Sequence, residues 1–219
     1  KQMLTLKDMK NVVEMYFRVS ILRSLLYPSL GLINKSFEHA DYSDKIDYES
    51  ISESNVERIM NESSILEMDI KYTDLVELDS TASNNAQVIF ASKACMLYLF
   101  QTIYKQSSLS PKTILLVKSL KREISTIFKG LKVMNKTESR QTVLFILPIF
   151  CYGIDLVGSS NRLELIHELK CIYQITRKEM IRSAMELLQL VWEKNAGGRI
   201  FVDWKFLSKK HQINISLCC

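Results

Sequence analysis

Glycine and proline are scarce in this 219-residue chain, six and three respectively. A fold of many short strands needs more of both, because tight turns use glycine for left-handed backbone and proline for a preset φ. An all-α fold is therefore expected, a multi-helix bundle of antiparallel amphipathic helices with no substantial sheet. Uninterrupted apolar runs are missing too. Lys, Arg, Gln or Ser breaks each one well short of the roughly 20 residues that span a bilayer, so no membrane partner is expected. Cysteine is odd in number, with Cys95, Cys151, Cys171, Cys218 and Cys219 and no CxxC pair, which suits a reducing compartment and excludes a cysteine zinc site. The three histidines, His39, His167 and His211, stand far apart. No DDxxD cluster could hold magnesium, and no Ser/His/Asp or Cys/His arrangement stands out. The expectation is no catalytic residues, no metal ligands and no enzyme.

What remains is a chain with 47% hydrophobic residues, enough for one core spanning residues 1–219. It begins at Lys1 and is expected to be part of something longer. The net charge of +5 is unevenly spread. Residues 38–79 hold thirteen acids against Lys45, Arg58 and Lys71, which leaves the rest of the chain at plus fifteen. That acidic stretch is expected to be a solvated, mobile connector. The basic side chains elsewhere are scattered at helical spacing without interleaved aromatics, so this chain is not expected to touch DNA itself.

Apolar periodicity places a helix from Thr5 or Asp8 to about Leu26, closed by Tyr27 before Pro28. Arg18 and Arg23 lie on or beside its apolar face, where their stems can cover apolar surface while the guanidinium reaches water. Two or three short amphipathic pieces follow, around Ile51–Met60 and Ile65–Leu78. Further helices are expected over Ala86–Gln106, Lys112–Leu131 with Ser110 as cap and Pro111 in the first turn, and Leu163–Tyr173. Thr176–Trp192 and a short closing segment around Trp204 complete the series.

Leu144–Leu156, reading LFILPIFCYGIDL, places a proline and a glycine inside an apolar helix expected to run from Thr137 or Ser139 to Gly158. Pro148 removes a backbone donor and predicts a kink. Gly153 lets a helix or a small ligand come close to the backbone. Asp155 stands among Ile154, Leu156 and Val157, and periodicity alone turns it to solvent.

Taken in order, these pieces resemble the second type of fungal-specific regulatory domain, found C-terminal to the zinc cluster of fungal transcription factors. The carriers are Tyr98 with Leu99; Pro148, Phe150, Gly153 and Asp155 as P-x-F-x-x-G-x-E/D; Arg162; Val191 with Trp192; and Asp203 with Trp204. The resemblance covers residues 84–207. Leu147 replaces a tryptophan common in the family. Membership implies a nuclear activator of metabolic genes whose DNA-binding module, with its zinc, lies outside this chain and works as a homodimer. It implies contact with the transcription machinery and, as in several relatives, sensing of a small metabolite, here an amino acid or 4-aminobutyrate.

Such a zwitterion needs a cation for its carboxylate and a carboxylate or aromatic face for its ammonium. Asp155 with Tyr152 suits the ammonium; Arg18 or Arg23, with Gln101 and Tyr98, suits the carboxylate. A sterol would instead need a long apolar slot, and a ligand-free interaction scaffold would need no cavity.

Overall fold

The computed structural model describes residues 14–19, 53–76, 85–133 and 139–213, and every regular element among them is helical. Residues 14–19 are helical, followed by α1 (Glu53–Val76), α2 (Asn85–Thr102), α3 (Pro111–Val133), α4 (Ser139–Ile154), α5 (Ser159–Thr176) and α6 (Glu179–Lys194). A 3₁₀ turn at Ala196–Gly198 then leads to α7 (Trp204–Lys210). Arg23, His39, Cys218, Cys219, the Ser83–Asn84 cap and the acidic segment before residue 53 lie outside the described residues.

Lys93 is the sole charged residue of α2, and the helix is buried nearly all round, as so apolar a sequence must be. It sits at the centre, touching α1, α3 and α4, while α6 closes the other side against α4, α5 and α7. The inward face of α6 is Ile181, Ala184, Leu187, Leu188 and Val191, the predicted 3.6-residue repeat. Each fully buried leucine there contributes about 1.5–3 kcal/mol over an exposed one.

Several ends have visible causes. The Ser110 hydroxyl accepts from Thr113 N–H at 3.3 Å, with Pro111 in the first turn of α3. Asp203 caps α7 by accepting from the N–H groups of Lys205 and Phe206 at 3.0 and 3.2 Å. The expected aspartate–tryptophan pair is thus a cap followed by a buried Trp204, which meets Phe150 edge-on at 4.9 Å and lies beside Tyr98 at 6.2 Å. Tyr98 in turn stacks on Tyr16 at 5.7 Å.

Three expected boundaries move. Residues 53–76 form one helix, not separate pieces; its thin buried stripe of Ile59, Leu66 and Ile70, among exposed Met60, Ile65 and Met68, gives a weak periodic signal. α2 stops at Thr102 because Lys105 turns to φ 48° and Gln106 N–H folds back to Phe100 C=O. α4 stops at Ile154, and Gly158 at φ 103° lets α5 begin at once, a conformation that would strain any L side chain.

Candidate functional site

The motif residues converge where α4 ends. A helix leaves its last carbonyls without intrahelical donors, and buried carbonyls must find others. Here side chains of α2 and α6 supply donors to two of them, and one of α5 holds a carbonyl in the turn just beyond. Gln101 of α2 donates its Nε2 to Cys151 C=O at 2.8 Å, Trp192 of α6 donates Nε1 to Gly153 C=O at 2.9 Å, and Arg162 of α5 donates Nε to Leu156 C=O at 2.8 Å. The Arg162 guanidinium also lies 5.2 Å from the Trp192 ring centre and donates Nη2 to Asn195 Oδ1 at 3.2 Å. Gly153 is required by packing: a Cβ there would stand 2.7 Å from Leu165 Cδ2 and 2.9 Å from Leu188 Cδ2. The close approach expected at this glycine is therefore made by neighbouring helices.

Asp155 is buried, 3% exposed, and is not turned to solvent. Its Oδ2 accepts from Gln101 Nε2 at 2.7 Å and its Oδ1 from Ser108 Oγ at 2.8 Å. Burial pushes its pKa up to about 6, while the bonds from Gln101 and Ser108 pull it down. The space beside it, between Gln101, Asp155, Asn195 and Phe201, amounts to about 10 Å³, room for one water.

The expected site residues are thus dispersed. Gln101 and Asp155 meet, but as each other's partners. Tyr98 is fully buried in the aromatic stack. Arg18 reaches Asp69 of α1 at 2.7 Å. Tyr152 lines a second cavity, one that Asp155 does not line. Ser108 and Asn195, which complete the junction, carried no sequence signal beyond ordinary turn chemistry.

That second cavity is a groove of about 340 Å³ between α3 and α5, with Tyr152 of α4 in its lining. α3 lines it with Lys121, Ile124, Ser125, Phe128, Lys129 and Lys132, residues that share one helical face; α5 adds Asn161, Glu164, Leu165 and Glu168. Lys121 donates to Asn161 Oδ1 at 3.2 Å, and Lys132 pairs with Glu168 at 2.6 Å. Tyr152 is 5% exposed, and burial, then the Glu164 carboxylate, push its phenol up to about 12.

Among the described residues no group of three or more His, Cys, Asp or Glu could hold a metal ion, and no helix is long and apolar enough to cross a membrane. Tyr98, the Pro148 to Asp155 series, Arg162, Trp192 and the Asp203–Trp204 pair, the residues that carry the resemblance, lie together in one helical body. The family model described as fungal specific transcription factor domain matches residues 26–218, and the chain belongs to that family. Neither a curated protein nor a solved structure matches it. The domain has a regulatory role in transcription.

Proposed function

We propose that this chain is the metabolite-responsive body of a nuclear activator of metabolic genes, and that its effector is a small polar metabolite, an amino acid or 4-aminobutyrate. The observation that carries this reading is the groove of about 340 Å³ at Tyr152, within the size range of small-molecule sites and lined by charges of both signs. Charged walls argue against a sterol, whose rings need an apolar slot. The expected pairing of Tyr152 with Asp155 is revised here: Tyr152 stays a ligand contact, while Asp155, Gln101 and Tyr98 brace the fold.

A ligand regulates only if it favours one arrangement of the protein over another. Tyr152 and Gly153 are neighbours on α4, so a ligand seated on Tyr152 acts on the helix end whose carbonyls are held from α2, α5 and α6. Changes at that end reach the surface offered to the transcription machinery. DNA binding, zinc and dimerisation belong, in this reading, to a separate module of the full-length protein.

The test fuses this chain to an unrelated DNA-binding module and reads a reporter gene. Amino acids or 4-aminobutyrate should change transcription. A reporter output that is constant across the panel refutes metabolite sensing and favours a ligand-free scaffold, a reading the water-sized space at Asp155 supports.

A further inference from the structure

The groove between α3 and α5 is closed by a polar link toward each end. Lys121 is tied to Asn161 at one, and Lys132 to Glu168 at the other. Eleven residues separate the two lysines, roughly 16 Å at 1.5 Å per residue. Between the links the lining turns mixed: Ile124, Phe128 and Leu165 are apolar, and Lys129, Glu164 and the buried Tyr152 are polar. Among the described residues none of these three polar groups makes a hydrogen bond or an ion pair. Lys129 stands on the α3 wall and Glu164 on the α5 wall, while Tyr152 comes from α4. A basic wall facing an acidic one, over an apolar middle, complements a molecule with a charge of each sign at its two ends.

We propose that this groove binds a small zwitterion, its carboxylate against Lys129 and its ammonium against Glu164 beside the Tyr152 hydroxyl, with the carbon chain over Phe128 and Leu165. The proposal rests on the metabolite-sensing reading above and names the site and the groups that grip each end. A phenol held near 12 stays protonated at neutral pH, so Tyr152 adds a hydroxyl and no charge. The lysine and the glutamate therefore supply the recognition of opposite charges, with Lys121, Lys132 and Glu168 already engaged at the ends.

The experiment is isothermal titration of the 219-residue chain with 4-aminobutyrate, butyrate and butylamine, which share a carbon skeleton and differ in charge. The zwitterion should bind saturably and each singly charged analogue about tenfold more weakly, the cost of one charged contact. Lys129→Gln should bring 4-aminobutyrate down to the affinity of butylamine, and Glu164→Gln down to that of butyrate. Both side chains are exposed, so both variants should keep the parent Tm. Tyr152→Phe should weaken binding while preserving the shape of the groove. No saturable binding of 4-aminobutyrate, equal binding of an analogue, or indifference to both charge substitutions overturns the proposal. Binding that follows this pattern alongside a silent reporter keeps the site and removes its regulatory role. A reporter that responds equally in wild type, Lys129→Gln and Glu164→Gln keeps metabolite sensing and removes this site.

Discussion

Asp155 is ionised at neutral pH in a place water hardly reaches, and its replacement by asparagine has a calculable consequence. Its folded pKa is about 6 against an ordinary 3.8, so folding favours the protonated form. The stability this group contributes is therefore fully present below about pH 4 and is lost as the pH rises through 6. At about 1.4 kcal/mol per pH unit the total is about 3 kcal/mol. Asparagine fits the same cage without a charge: its oxygen can accept from Gln101 Nε2, and its amide can donate to Ser108, whose hydroxyl rotates. Urea unfolding of both proteins from pH 4 to pH 8 gives the difference at each pH, which cancels every other titrating group. The wild type should lose about 2.5 kcal/mol of that total relative to Asp155→Asn across the interval, since the unfolded carboxyl is already partly ionised at pH 4. A difference independent of pH would show that the bonds from Gln101 and Ser108 match desolvation, one in which the wild type gains with rising pH that they outweigh it, and either would refute the reasoning.

Three further substitutions probe the same junction. Gly153→Ala forces a methyl against Leu165 and Leu188 and should lower stability by about 1–3 kcal/mol in chemical denaturation. Trp192→Phe removes the indole donor to Gly153 C=O, which keeps only the Leu156 N–H at 3.2 Å, and replaces the indole ring beside Arg162 by a smaller one; a loss of about 1–3 kcal/mol is expected, and an unchanged urea midpoint would exclude that bond as a stabiliser. Asp203→Ala deletes the acceptor for two N–H groups of α7 and should lower stability by about 1 kcal/mol, with near-ultraviolet circular dichroism reporting whether Trp204 loosens.

The all-helical class, the apolar face of α6 and the Ser110–Pro111 start of α3 were legible in the residues, because each depends on contacts within one or two helical turns. The tight contact at Gly153 was legible as well, since a glycine inside an apolar helix has few other uses. The family could be read from the order of its motif residues, although their shared task could not. α1 was harder, because Ile59, Leu66 and Ile70 make too thin an apolar stripe to join two acidic pieces into one helix.

Tertiary structure alone decided the fate of Asp155 and Arg18. The partners of Asp155, Gln101 and Ser108, stand 54 and 47 residues away in the chain, and Arg18 finds Asp69 at a separation of 51. Local periodicity says which face of a helix is apolar, but not which distant donor will meet a carboxylate on it. The groove follows the same logic. Lys121, Lys129 and Lys132 already share a face in the sequence of α3, as Asn161, Glu164 and Glu168 do in α5. Only the packing of α3 against α5, with Tyr152 brought in from α4, turns two ordinary polar helix faces into opposing walls of one cavity.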